Sequence, residues 1–244
     1  MTTYRIISPV ADIHGTPDLN ALRGKNETQA VFGEAFTVEN EENGWCKGAS
    51  AHDGYKGFIE KKHISPAAAP PTHIVTAARS HVYRDGSIKT PRLETFSFGS
   101  HVCVAKIGEK FAELSTGGWI YQSHLAAIDS VEEDYIKTAQ TFLETPYYWG
   151  GRSGFGIDCS GLVQVVLARA GLAVPRDTED QETTIGKTVD TARSGDLVFF
   201  KGHVGIMIDA DTLLHANAHH MKTVIEPLWM VDERSGGVTS IRRI

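Results

Sequence analysis

The sequence is short of the features that mark a membrane protein, a polyanion-binding protein or a disulfide framework. No apolar stretch approaches the roughly 18–20 residues of a helical bilayer span. The opening Met1-Thr-Thr-Tyr-Arg-Ile-Ile-Ser-Pro-Val10 lacks the apolar core of a secretory signal. The expected location is therefore cytoplasmic, the alternative being an exported protein whose leader was removed before this numbering begins. Basic residues number 24 against 30 acidic, a formal net charge of −6, and no Lys/Arg cluster is dense enough for a nucleic-acid arm. Neither nucleic acid nor membrane is an expected partner. Only three cysteines occur, Cys46, Cys103 and Cys159, far apart and without CxxC spacing. They cannot all pair, which argues against a disulfide scaffold or structural zinc and for a reduced compartment with one specialised thiol.

What is present is ordinary globular composition, 41% hydrophobic and 22% charged, in 244 residues, enough for two or three domains with their own cores. Pro66-Ala-Ala-Ala-Pro-Pro71 is a breaker-rich linker and the clearest boundary. Short alternating runs and glycine turns flank it on both sides, the pattern of small all-β domains. The two flanks echo each other. Gly33-Glu-Ala-Phe-Thr-Val38 parallels Gly99-Ser-His-Val-Cys-Val104, and Gly57-Phe-Ile-Glu-Lys-Lys-His-Ile64 parallels Gly118-Trp-Ile-Tyr-Gln-Ser-His-Leu125. Matched blocks in the same order predict tandem β-barrels of one kind, at residues 1–69 and 72–128.

Residues 129–244 are mixed. Ser130 and Glu133 have the spacing of a helix N-terminal capping box, and Tyr135, Ile136, Ala139, Phe142 and Leu143 keep helical periodicity up to Pro146. A second helix is expected to start at Asp158, to bury Leu162, Val163, Val166 and Leu167, and to end at Gly171. Strands are expected at Asp196–Phe200, His203–Ile208, Leu213–Ala216, Thr223–Ile225 and Val238–Ile241. Helices first and strands afterwards predict an α+β domain.

The chemistry concentrates in Tyr147-Tyr-Trp-Gly-Gly-Arg-Ser-Gly-Phe-Gly-Ile-Asp-Cys-Ser-Gly161, a glycine-rich loop running into the second helix. A cysteine at a helix start has two reasons to be reactive. The N-terminal partial charge favours the thiolate, and free backbone N–H groups can hold an oxyanion. The plain alternative is a small apolar residue packed on a sheet, and position alone leaves the two readings even. Cys46 and Cys103 lack this context and are read as packing residues. A thiol nucleophile needs a base and the base an orienting group. Among 11 histidines, His203 opens His-Val-Gly-Ile-Met-Ile and His215 sits in Leu-Leu-His-Ala, with an acidic turn, Asp209-Ala-Asp211, between them. A hairpin sets them on one face if residue 203 lies opposite 215, with the loop centred near Asp209 or adjusted by a bulge. A tight turn at 210–211 would set them on opposite faces. With His219 and His220 they could in principle bind a metal, but no HExxH-like spacing occurs, so the His-His pair is read as solvated and no metal is expected.

These blocks resemble those of a known family. Tyr-x-Trp-Gly-Gly (147–151), Asp-Cys-Ser-Gly (158–161), Pro-Arg-x-Thr-x-x-Gln (175–181), Ser-Gly-Asp-Leu-Val-Phe-Phe (194–200), Gly-His-Val-Gly-Ile (202–206) and Leu-His-Ala (214–216) resemble, in order, the NlpC-type papain-like cysteine peptidases. The resemblance implies hydrolysis of the γ-D-glutamyl–diamino-acid bond of peptidoglycan stem peptides, without a cofactor. Carried over position by position, Cys159 is the nucleophile, His203 the base and His215 its orienter. Tyr147, otherwise core filling beside Trp149, would line the site, and Asp158 and Ser160, otherwise a helix cap and a first-turn hydroxyl, would recognise the peptide's free amino end. Arg176 and Gln181 are read as structural. The two leading segments resemble bacterial SH3-like barrels. By the same resemblance the first packs on the catalytic domain and uses Tyr55, in Asp53-Gly-Tyr55, to close the pocket around a free L-alanine amine. The implied substrate is a small murein tri- or tetrapeptide such as L-Ala-γ-D-Glu-diaminopimelate. The competing readings are an exported wall hydrolase with barrels as wall-binding modules, and a scaffold with a decayed site. The intact Cys and His positions disfavour the scaffold.

Overall fold

The structure, a computed structural model, describes residues 2–24, 27–66 and 69–244; Ala67 and Ala68 of the proline-rich linker lie outside the described residues. The chain divides into two compact units. One runs to Ser130 and includes Ser153–Phe155; the other comprises Val131–Arg152 and Gly156–Ile244.

In the first unit, the residues before the linker form β1 (Thr2–Ile6), β2 (Val10–Ile13), β3 (Thr28–Val31), β4 (Ala35–Glu42), β5 (Trp45–Ser50), β6 (Lys56–Glu60) and β7 (Ile64–Pro66). Those after it form β8 (His73–Val75), β9 (Arg79–Tyr83), β10 (Arg92–Ser97), β11 (His101–Val102), β12 (Val104–Ile107), β13 (Phe111–Leu114), β14 (Trp119–Tyr121) and β15 (Leu125–Ala127). The alternation that marks half-buried strands is visible in β4, where Phe36 and Val38 point inward between less buried neighbours. Phe36, Val38, Ile6, Ile13, Cys46, Ile59 and Ile64 make one core. Val75, Val82, Phe96, Val102, Leu114 and Ile120 make a second, with Phe32 packed against it.

The internal echo is real at the level of elements. The block beginning at Gly57 gives a strand, one 3₁₀ turn at Lys61–His63 and β7; its counterpart gives β14, a 3₁₀ turn at Gln122–His124 and β15. In both, the first strand of the segment is flanked by equivalent partners, β1 by β4 and β7, and β8 by β11 and β15. The copies differ at Cys103. The long β4 is replaced by β11 and β12, which pair with different strands on either side of that residue. Among the described residues no sheet closes on itself by backbone pairing.

The second unit contains α1 (Tyr135–Gln140), β16 (Arg152–Ser153, running into the first unit), β17 (Gly156–Ile157), α2 (Cys159–Arg169), α3 (Thr178–Thr184), β18 (Lys187–Thr188), β19 (Leu197–Phe200), β20 (His203–Met207), β21 (Thr212–Asn217), β22 (Lys222–Pro227), α4 (Leu228–Ser235) and β23 (Val238–Arg243). Six strands form one antiparallel sheet in the order β18-β23-β19-β20-β21-β22. Helix α2 lies along β20 and β21. Val231 of α4 packs with Val198, Phe200, Met207 and Leu213.

Three expectations need correction. The capping box is absent: Ser130 Oγ donates to Ala127 O at 2.6 Å, and Asp134 caps α1 by accepting from Lys137 N–H at 2.9 Å. That helix also ends early, at Gln140. Residues up to Thr145 continue as single turns, with Glu144 in the left-handed region (φ 66°) two residues before Pro146. Helix α2 does start behind Asp158 and is followed by a left-handed Gly171 (φ 82°), but it buries almost every residue rather than one face. A helix that is apolar nearly all round belongs inside its unit. The short α3 and α4 went unread because their sequences, Thr-Glu-Asp-Gln-Glu-Thr-Thr and Leu-Trp-Met-Val-Asp-Glu-Arg-Ser, show no sustained apolar period. No helix among the described residues is long and apolar enough to cross a membrane.

Candidate active site

The start of α2 is held by a buried polar network. Asp158 Oδ1 accepts from Gly161 N–H at 2.7 Å, the ordinary N-cap bond. Its other oxygen accepts from Gly150 N–H at 2.8 Å and from Arg176 Nη2 at 2.6 Å. Arg176 also donates to Ser160 Oγ (2.8 Å), and Gln181 Nε2 donates to the carbonyls of Ser160 (2.9 Å) and Pro175 (2.8 Å). Arg176 and Gln181 therefore act as braces on the helix start. Gly161 is required by contact: a Cβ there would lie 2.2 Å from Gly151 O. The glycine-rich turn and the first turn of α2 thus touch backbone to backbone.

Cys159 is the first residue of α2, and its sulfur lies 3.8 Å from Thr178 Oγ1. Burial pushes the thiol up to about 11, with a smaller push from the Asp158 charge. Hydrogen bonding from Thr178 and from the backbone N–H groups of Val204 and Ser160 works the other way. The helix N-terminus was expected to favour the thiolate; in this resting arrangement desolvation outweighs it. Val204, next to His203 in the chain, is among the groups that act on the sulfur, and β20 packs against α2.

His203 Nε2 and His215 Nδ1 are 2.7 Å apart. The hairpin reaches this by neither register considered from sequence. Ile206 pairs with Leu214 and Met207 with Leu213, which continued along the strands sets residue 203 opposite 217. His215 is two residues back from that position, so it faces the same way as His203 and meets it diagonally. The turn is set by Asp209, whose carboxylate accepts from the N–H groups of Asp211 (2.8 Å) and Thr212 (2.7 Å). Burial, then the neighbouring His215 and Arg234, push His203 down to about 3, against a counteracting Glu226. Burial likewise holds His215 at about 4 although Glu226 opposes it. Both rings are neutral at neutral pH.

Comparison with known proteins gives the family. Residues 144–232 match the NlpC/P60 family model, and residues 23–64 match the model of the bacterial dipeptidyl-peptidase Sh3 domain. The chain is 30% identical over 217 residues to the gamma-D-glutamyl-L-lysine dipeptidyl-peptidase of Bacillus subtilis, covering 78% of this chain and 72% of that protein. The chain belongs to the NlpC/P60 family. It is a peptidase with an SH3 domain ahead of its NlpC/P60 domain. The chain is also 25% identical to dipeptidyl-peptidase 6 of Lysinibacillus sphaericus, covering 87% of this chain and 86% of the other. An NlpC/P60 family protein of Bacillus cereus shares the fold along 99% of both chains, with a TM-score of 0.83 at 23% identity.

Within this NlpC/P60 chain, the remaining sequence-derived residues fall into two groups. Tyr147 belongs to the second unit. Burial and, next, the nearby Cys159 and Asp158 push its phenol well above the ordinary tyrosine range. Asp53 and Tyr55 belong to the first unit, where Asp53 Oδ1 accepts from Tyr55 N–H at 3.0 Å in a tight turn. Among the described residues no group of three or more His, Cys, Asp or Glu is placed to hold a metal. His219 and His220 lie in a turn and not on a strand, with ring centroids 4.6 Å apart edge to face. His220 is not simply solvated, for its Nε2 lies 3.3 Å from Glu226 Oε2.

Glu226 is the residue that sequence reasoning missed. Its Oε1 lies 2.8 Å from His215 Nε2 and 2.5 Å from Arg234 Nη2. Burial works to raise the carboxyl, but the bonds from Arg234, His220 and His215 pull it down to about 2. The signal was alternation: the strand expected to stop at Ile225 runs to Pro227, and Glu226 pairs with Leu213, placing it on the face of His215. The amide of Asn217 also lies 3.1 Å from His215 Nε2. The carboxylate can only accept from that nitrogen, whereas the amide NH₂, turned to it because Asn217 Oδ1 accepts from His220 N–H at 2.8 Å, can only donate, so the two contacts favour opposite tautomers.

Proposed function

We propose that this chain hydrolyses the γ-D-glutamyl–diamino-acid bond of short free peptidoglycan stem peptides carrying an N-terminal L-alanine. Cys159 is the nucleophile, His203 the base and His215 its orienter. The observation that carries this reading is the 2.7 Å bond between His203 and His215 beside the start of the helix that opens on Cys159. His203 takes the thiol proton, sulfur bonds to the γ-carbonyl carbon, and backbone N–H groups at the start of α2 hold the developing oxyanion. The C–N bond then breaks as His203 returns the proton to the leaving amine. Water attacks the thioester, His203 receives its proton, and the proton goes back to sulfur as the acid leaves.

The preference for short peptides is supported by relatives named as dipeptidyl-peptidases, whose similarity runs through the SH3 region as well as the catalytic one. On this reading the all-β segments are tandem SH3-like barrels, and the enzyme serves wall-peptide recycling in the cytoplasm. Tyr147, Asp158 and Ser160 take part in recognition of the free amino end. Mass spectrometry of L-Ala-γ-D-Glu-L-Lys and its diaminopimelate counterpart after incubation tests this. The expected products are the L-Ala-γ-D-Glu dipeptide and the free diamino acid. Equal turnover of N-acetylated peptide would overturn amine recognition, and cleavage of intact sacculi with little on tripeptide would favour the exported hydrolase.

A further inference from the structure

A neutral imidazole carries one proton, and which nitrogen holds it decides whether it can serve as a base toward a given neighbour. Two groups bear on the choice at His215 Nε2, the Glu226 carboxylate at 2.8 Å and the Asn217 amide nitrogen at 3.1 Å, and the charged acceptor is the shorter and stronger contact. Glu226 is clamped by Arg234, whose Nη2 lies 2.5 Å from Oε1 and Nη1 3.3 Å from Oε2. An ionised carboxylate only accepts, so His215 Nε2, at 2.8 Å, must carry the proton. The neutral His215 ring is then bare at Nδ1 and accepts from His203 Nε2 at 2.7 Å. The last nitrogen in the chain, His203 Nδ1, is left unprotonated.

We propose that Glu226 is a positioning residue that sets the tautomers of His215 and His203 in succession, leaving Nδ1 of His203 as the free base for the thiol proton. This deepens the reading of Cys159 and His203 given above and rests on it. The direction of the chain matters more than the charge, because Arg234 neutralises most of the field of the carboxylate, and His220, on Oε2, adds a second restraint. If the order were reversed, with His215 protonated at Nδ1, that N–H would face His203 Nε2. The His203 proton would then sit on Nδ1, where it blocks uptake of another. The competing structural role for Glu226 is to anchor α4 through Arg234. That role predicts lower stability but no change in imidazole protonation.

The experiment compares full-length wild type, Glu226→Gln and Glu226→Leu. Imidazole 15N spectra are recorded in a Cys159→Ala background, where turnover cannot interfere, and kcat and KM in the active background. With Glu226 present, both neutral rings are expected in the Nε2–H form. Glu226→Leu, with no acceptor, is expected to give a tautomer mixture and a kcat lower by roughly 10- to 1,000-fold, with KM little changed. Glu226→Gln keeps the shape and can still accept through its carbonyl, so it is expected to recover part of that loss. A proton found on His215 Nδ1 in the Glu226-containing protein would overturn the proposal without any kinetics. So would kcat within twofold of wild type in both variants with unchanged spectra. Retained hydrolysis in Cys159→Ala would instead overturn the catalytic reading beneath it, and would leave the tautomer result standing by itself.

Discussion

Arg176 Nη2 lies 2.6 Å from Asp158 Oδ2, and both side chains are almost sealed from water. Two charges withdrawn from solvent are tolerable only together. Removing either partner strands the other, beside backbone groups whose donors it held. Asp158→Ala and Arg176→Ala are each expected to cost about 3–5 kcal/mol in urea denaturation. Losses below about 1 kcal/mol in both would mean that the pair is not a structural requirement.

The thiol should titrate late. Burial holds Cys159 up at about 11 in the free enzyme. Alkylation by iodoacetamide is therefore expected to be slow at pH 7 and to rise about tenfold per pH unit toward pH 10. A rate constant flat between pH 5 and 9 would show a preformed thiolate–imidazolium pair instead. Cys159→Ala should abolish both alkylation at this site and hydrolysis while leaving the thermal transition in place.

Acid should destabilise the fold before the carboxylates titrate. His203 and His215 are held down at about 3 and 4, below the ordinary 6.5 of the unfolded chain. Below pH 6.5 the unfolded state binds protons that the native state refuses, so stability falls as pH falls. Each histidine contributes a slope of up to about 1.4 kcal/mol per pH unit until its folded value is reached. Glu226, held at about 2, acts in the same direction in a lower window, losing its contribution between pH 4.5 and 2. Denaturation midpoints from pH 8 to 4 should show the first window, and His215→Asn should flatten it. An unchanged slope would place the acid sensitivity elsewhere.

Gly161 should tolerate nothing larger. An added Cβ meets Gly151 O at 2.2 Å and Asp158 Oδ1 at 2.8 Å. Both atoms are fixed by the network around Arg176, so Gly161→Ala is expected to cost at least about 1–3 kcal/mol and to move the thiol. Thermal melting and the alkylation rate report these separately. Wild-type values for both would show that the turn yields.

Much of the site was legible because it is local. A helix start is written in adjacent residues, and Asp158 and Cys159 declare a cap and a first-turn thiol in two positions. The repeated strand, 3₁₀ turn and strand of the all-β segments was legible for the same reason, as two eight-residue blocks. Helix α1 was misread at its start because the Ser130–Glu133 spacing was taken as its cap, whereas Ser130 Oγ is spent on Ala127 O and Asp134 caps the helix.

The sequence by itself determined which residues were candidates for the chemistry: one thiol at a helix start, and two histidines flanking an acidic turn. It also determined that two related β segments precede them. Only tertiary structure decided how those groups face one another. The β20–β21 register turns on where Asp209 closes the loop, and a shift of one residue would reverse His215 to the other face of the sheet. Glu226 and Arg234 reach His215 from another strand and from α4, at separations no local pattern records. The protonation of the thiol and both imidazoles followed from burial, which a sequence does not display and a folded core imposes.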